Sequence, residues 1–110
     1  MSNISIKESG FVKTFGDYPL IRLLDFFLTF RGFDYSLSDI SKNAEIGWTT
    51  TLKLVPILKK KGILKETRNV GKARMFQLNE SSPETKTLMK IYNLILKQIA
   101  DKAMEVKVKA

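Results

Sequence analysis

Apolar residues recur at helical spacing in four stretches of the chain and alternate with polar residues in a fifth. The run LIRLLDFFLTF places Leu20, Leu23, Leu24, Phe27 and Phe30 along one side of a helix expected over residues 18–31. Arg22, Asp25 and Arg31 fall mostly between them. Asp17 is the expected N-cap, Pro19 stands where a missing N–H costs nothing, and Gly32 ends the run. The aromatic side chains of this helix read as core more readily than as a ligand pocket, because large aromatics carry the largest burial energies. Upstream, residues 1–10 are polar, and Ile4 and Ile6 are placed to form an edge strand or to pack on a partner. Phe11, Val12 and Phe15 call for a helical turn against the core, ended by Gly16.

After an extended connector at Asp34–Leu37, Ser38 is the expected cap of a short helix to Glu45, with Asp39 in its first turn and Ile40 and Ala44 facing inward. A tight Ile46-Gly47 turn leads to a helix expected over Trp48–Lys61, with Thr51, Leu54, Val55 and Leu58 as its buried stripe. Pro56 removes one backbone hydrogen bond inside that helix and predicts a kink. Ile63–Arg68 and Ala73–Leu78 then alternate as two strands around Asn69-Val70-Gly71-Lys72, where Gly71 supplies the positive φ of a hairpin turn. Ser81, Pro83 and Glu84 mark the start of a last helix running to about Val106. Leu88, Tyr92, Ile95 and Ile99 step along it close to a heptad seam, which predicts a dimerisation surface; a fold-back onto the chain's own core is the alternative.

The expected architecture is therefore mainly α with a small β-wing: an N-terminal arm (1–15), a winged helix-turn-helix unit (16–80), and a C-terminal dimerisation helix with a basic tail (81–110). At 110 residues with 44% apolar content, one packed core is expected. No apolar run is long enough for a membrane span, and the first residues lack a signal-peptide pattern, so a cytoplasmic, nucleoid-associated location is expected. Cysteine and histidine are both absent. That removes disulfides, thiolate chemistry, the usual general base and the commonest metal ligand, so neither a metal nor a cofactor is expected. There is also no P-loop or nucleophile–base spacing, and an enzyme is not expected.

The formal charge of +8 is unevenly placed. Residues 1–45 carry five basic and six acidic side chains, and residues 80–110 six and four. Residues 46–79 carry eight basic residues against Glu66 alone, a net of +7. Helix, turn, helix and basic hairpin is a recurring device for setting one helix in a DNA major groove. Trp48, Thr49, Thr50 and Lys53 occupy the first turns of that helix, where base edges are touched. Arg68, Lys72 and Arg74 gather at the hairpin tip, where no acid is expected nearby, and with Lys60 they are the expected backbone or minor-groove contacts. Each has a plainer reading as well. Thr49 and Thr50 suit helix capping, Trp48 suits a hydrophobic staple, and Lys59–Lys61 suit the negative end of a helix dipole.

Two segments, GDYPLIRLLDFFL and LSDISKNAEIGWTTTLKLVPILKKKGILKETRNVGKARMFQLNESSP, resemble the archaeal winged helix-turn-helix transcriptional regulators, broadly MarR/ArsR-like. The resemblance covers about residues 16–95, and its most specific piece is ETRNVGKARMFQLN. It implies a homodimeric, sequence-specific binder of double-stranded DNA, with Thr49, Thr50, Lys53, Lys72 and Arg74 among its contacts. Metal and redox sensing in that family uses cysteine or histidine, which this chain lacks, and Pro56 departs from the generic pattern. A winged-helix interaction adaptor, or a non-specific architectural or partition protein, is the alternative; an adaptor has no need of the +7 block. RNA binding is a variant that the fold does not separate from DNA binding.

Overall fold

The computed structural model describes the backbone of residues 9–109 and the side chains of residues 9–104. In chain order the elements are α1 (Gly10–Phe15), α2 (Pro19–Thr29), β1 (Asp34–Ser36), α3 (Leu37–Ala44), α4 (Trp48–Lys60), β2 (Leu64–Val70), β3 (Ala73–Leu78) and α5 (Pro83–Lys109). The three strands form one antiparallel sheet in the order β1-β3-β2. The chain is thus mainly helical with a small sheet, the arrangement of a winged helix.

The centre of the core is α2, which contacts α1, α3, α5 and β3. Leu23, Phe26, Phe27 and Leu28 are buried there with Ile40 and Ala44 of α3, Val55 and Leu58 of α4, and Phe76 and Leu78 of β3. Removing a fully buried phenylalanine such as Phe27 from water is worth roughly 1.5–3 kcal/mol. The one-sided stripe expected for this helix needs correcting. Leu20 and Phe30 are exposed, while Phe26, Leu28 and even Asp25 are buried. Neighbours surround the stretch Leu23–Leu28, where six consecutive residues are buried. Its N-cap is Tyr18 and makes no side-chain cap bond. Asp17, expected in that role, instead receives hydrogen bonds from the Arg22 guanidinium.

Ahead of α2, α1 is capped by the Ser9 hydroxyl and buries Phe11 and Val12, whereas Phe15 is nearly half exposed and tilts against the Phe11 ring. The strand expected at Ile4 and Ile6 lies outside the described residues. Asp34–Ser36, expected as a connector, is the edge strand β1, with Tyr35 paired to Phe76. Ser36, not Ser38, caps α3 by accepting from the Asp39 N–H at 3.1 Å.

At the far end, α5 is capped by Ser82, whose hydroxyl accepts from the Thr85 N–H; Ser81 donates to Asn79 instead. Its 27 residues span about 40 Å in a molecule 54 Å long. The dimerisation seam expected from Leu88, Tyr92, Ile95 and Ile99 is corrected in its middle. Tyr92 and Ile95 are buried in the chain's own core, and Leu88 packs against it. Tyr92 stands 5.8 Å from the Phe11 ring, shares a 2.6 Å hydrogen bond with Thr29, and lies under the Arg31 guanidinium. A helix lying on its own body and a helix lying on a partner bury the same spacing of residues, so the periodicity could not distinguish them. Ile99 is about half exposed, as are Leu94, Leu96 and Met104 around this helix.

Candidate nucleic-acid interface

The pose of α4 is set by the turn that precedes it. Glu45 takes the left-handed conformation that ends α3 (φ 57°), while Gly47 has an ordinary φ of −64° and serves as the α4 N-cap. The tight turn expected at Ile46-Gly47 is thus made by left-handed backbone at Glu45. Its unusual backbone is held from three directions. The Arg22 guanidinium donates to the Glu45 carbonyl at 2.6 Å, the Ser41 hydroxyl donates to the Ile46 carbonyl at 2.7 Å, and the Ile46 side chain is buried. Thr51 completes the start of α4 by donating to the Gly47 carbonyl at 2.9 Å from a fully buried position.

Thr51, Val55 and Leu58 bury one face of α4, and Leu54 is half-buried beside them. The opposite ridge carries Thr49, Lys53 and Lys60 at i, i+4 and i+11, all exposed. Trp48 is exposed as well, so a hydrophobic staple does not describe it. Thr50 is half-buried, turned away from Trp48 by helical phase. Neither Thr49 nor Thr50 caps the helix; Gly47 occupies the cap.

The far end of α4 is stitched to the base of the hairpin. Gly62 turns at φ 81°, the Asn79 amide donates to its carbonyl at 3.0 Å, and the Asn79 N–H donates to the Ile63 carbonyl at 2.9 Å. Gly71 and Lys72 make a two-residue loop at the tip, with Gly71 at φ 61° as that tight turn requires. The ladder shifts register between Glu66 and Asn69, a bulge that bends the hairpin along its length.

The expectation that the wing cations have no acid nearby is overturned. Asp34 of β1 reaches across the sheet and accepts from Arg68 at 2.8 and 3.2 Å and from the Thr67 hydroxyl at 2.6 Å. Glu66 accepts from Arg74 at 2.9 and 3.1 Å and from Lys59 at 2.8 Å, so one carboxylate ties the end of α4 to β3. The Arg68 hydrogen bonds, helped by Thr67, hold the Asp34 carboxyl down at about 2. Those from Arg74 and Lys59 hold Glu66 down at about 2. Both arginines are pushed above their ordinary value by the same bonds. Lys53, Lys60 and Lys72 have no ion pair among the described residues.

Several sequence-expected residues converge. Trp48 shares a shallow cleft of about 310 Å³ with Lys72 and Arg74 at the tip of the hairpin. Arg74 also borders a larger cleft of about 410 Å³ with Lys60. Arg68 is not part of this group. It lies beside Asp34 and Asp39 in a separate depression. Sequence reading missed Asp34 as a partner of the wing because nothing local marks a carboxylate 34 residues from its arginine, and it missed Glu66 although that acid lies in the hairpin only eight residues from Arg74. It also missed Leu37, Leu52 and Phe76 as the apolar floor of the larger cleft.

Among the described residues, no helix is long and apolar enough to cross a membrane, and no group of three acidic, cysteine or histidine side chains gathers as a metal site. No family model matches the chain, and no curated protein matches it. Two solved structures share the fold at low sequence identity. M. tuberculosis Rv0081 is 16% identical with a TM-score of 0.55, over 86% of this chain and 89% of its own. A possible transcriptional regulator from Methanosarcina mazei Go1 is 19% identical with a TM-score of 0.52, over 83% of this chain and 77% of its own. Both likenesses are of overall fold, mainly helical with a small antiparallel sheet.

Proposed function

We propose that this protein is a sequence-specific, double-stranded DNA-binding transcriptional regulator that acts as a homodimer and not as an enzyme. In this reading the outer ridge of α4, with Thr49 and Lys53, enters the major groove. Trp48 and Lys72 flank it, and the hairpin lies on the adjacent backbone or minor groove. The observation that carries the reading is the meeting of Trp48, Lys72 and Arg74 around one cleft, within a segment that holds eight basic residues and one acid. Opposed charge on a groove-sized helix is what phosphate binding requires. A fold shared with a protein described as a possible transcriptional regulator supports the same conclusion. The dimer is supported by Leu94, Leu96, Ile99 and Met104, apolar side chains of α5 that the core leaves exposed.

Fluorescence anisotropy against a random duplex and a library-selected duplex, at two salt concentrations, tests this. Neutralising roughly 6–10 phosphates per dimer gives a log–log salt slope of about −5 to −9. A preference on the order of a thousandfold for the selected duplex is expected. Salt-steep binding without preference would move the protein to an architectural role, and absence of binding at low salt would favour an adaptor.

A further inference from the structure

Trp48 is the only tryptophan in the chain, and it opens α4 with 52% of its surface exposed. Tryptophan is large and on average highly buried in folded proteins, so an indole left uncovered asks for a partner. Among the described residues its ring stacks on no other aromatic and lies under no cation. Beside it is a cleft of about 310 Å³ whose other walls come from two places. Ser36, Leu37 and Ser38 belong to the passage from β1 into α3, and Lys72, Ala73 and Arg74 to the hairpin tip.

The groups that line this space are uncommitted within the chain. Lys72 has no ion pair among the described residues. Arg74 bonds Glu66 through Nε and Nη2, which leaves Nη1 available. Ser36 is spent on capping α3, but the Ser38 hydroxyl is exposed and makes no hydrogen bond among the described residues. A hydroxyl can donate or accept, so it can meet the edge of any base. An aromatic face, a free hydroxyl and two cations around one recess are the parts that hold a nucleotide: the base stacks, its edge is hydrogen-bonded, and its phosphate is neutralised. A paired base within a duplex cannot use them, because its faces are covered by its neighbours and only its edge reaches the groove. Apolar contact between the indole and a thymine methyl in the groove would leave both the recess and Ser38 unused. The indole face calls for a base that has left the stack.

We propose that this cleft takes an unstacked nucleobase from a single DNA strand, with Trp48 as the stacking platform, Ser38 at the base edge, and Lys72 and Arg74 on the strand's phosphates. The inference deepens the DNA-binding reading and rests on it. Thr49, next to Trp48, lies on the ridge assigned to the major groove, so a duplex held by that ridge meets the cleft at its flank. The preferred partner is therefore a junction between paired and unpaired DNA.

The test compares three forms of one library-selected duplex with the full-length protein: blunt, extended by a single-stranded thymine overhang, and extended by an abasic overhang of equal length. The abasic strand carries the same phosphates without bases, so it separates stacking from charge. Anisotropy gives the affinities, and the emission of Trp48, the sole indole, reports stacking directly. The thymine overhang should bind roughly tenfold tighter than the abasic one and should quench the indole, as base–aromatic stacking provides. The abasic and blunt forms should leave the emission nearly unchanged. Trp48→Ala should abolish the preference for thymine over abasic DNA, and Trp48→Phe should retain most of it; the side chain is exposed, so neither change opens the core. Equal affinity for the two overhangs would overturn the proposal. So would a preference that survives Trp48→Ala, or equal quenching by the blunt duplex. Tight binding of the blunt duplex without a thymine preference would keep the regulator reading and remove the cleft's role. Quenching by a thymine oligonucleotide in a protein that binds no blunt duplex would keep the cleft and sink the regulator reading.

Discussion

In the sheet, Asp34 of β1 and Glu66 of β2 each accept hydrogen bonds from two side chains, and both carboxyls are held at about 2. In the layer formed by α1, α2 and α5, Asp25 is almost wholly buried and its Oδ1 has no partner. Burial pushes its carboxyl up to about 6, with a Ser9 hydrogen bond pulling partly back. The wing thus spends its acids on holding cations at the surface, where solvent keeps each pair individually weak. The helical layer carries one acid whose ionised form is poorly accommodated. Acids that organise the wing leave it insensitive to pH near neutrality, while the acid in the core makes the body's stability respond to pH there.

The largest expected effect follows from Asp25. Its folded-state value lies above the ordinary one, so its stabilising contribution is complete below about pH 4 and is lost as pH rises through about 6. The wing acids behave oppositely: their contribution is present above about pH 4 and is lost only as pH falls towards 2. With no histidine in the chain, no imidazole titrates between about pH 5 and 8. Raising pH from 4.5 to 7 should therefore cost on the order of 2 kcal/mol, or roughly 8 °C in Tm. Asp25→Asn should remove most of that slope. Parallel melting curves for the two proteins across this range would show that Asp25 is not the source.

Next in size is Lys72→Ala at the hairpin tip. Loss of a cation that no carboxylate holds should weaken binding to every duplex by roughly fivefold at low salt and make the salt slope shallower by about 1 per protomer. An effect confined to one sequence would reassign Lys72 to base reading. Glu66→Gln sharpens the comparison from the other side. It releases Lys59 and Arg74, and duplex affinity should rise about threefold with a steeper salt slope. Weaker binding from this variant would mean that Glu66 serves the interface by aiming Arg74, not by masking it. The smallest effect is expected from Asp34→Asn, which frees Arg68 and loosens β1 from β2. Amide exchange at Thr67–Val70 should quicken several-fold with Tm nearly unchanged; a cooperative loss of the whole fold would contradict the picture of the wing as a separable surface unit.

How much of this was legible beforehand varies with the range of the interaction. Ile40 and Ala44, Thr51, Val55 and Leu58, and a hairpin of Ile63–Arg68 with Ala73–Leu78 follow from local periodicity and are found, except that the first strand runs on to Val70 and shortens the expected four-residue turn to Gly71-Lys72. Caps were harder. Ser36 and Ser82 hold the roles expected of Ser38 and Ser81, because adjacent hydroxyls compete for the same N–H groups and the tertiary entry angle chooses between them. The left-handed Glu45 was invisible, since its backbone is stabilised by Arg22 from 23 residues away. For the interface, the sequence located the charge but not its pairing. Of the three wing cations, only Lys72 lacks an ion pair among the described residues.

By itself, then, the sequence determined what depends on spacing and composition: four principal helices, a basic hairpin, a charge concentrated in one segment, and a chain without cysteine or histidine. Tertiary structure decided everything that depends on which surfaces meet. It turned the apolar seam of α5 inward at Tyr92 and Ile95, buried Asp25 on all sides, carried Asp34 and Glu66 to the wing arginines, and opened a cleft between α4 and the hairpin. The physical reason is one of range. Periodicity records that a face must be covered, and the covering partner is chosen by distant segments whose packing and charge no local pattern encodes.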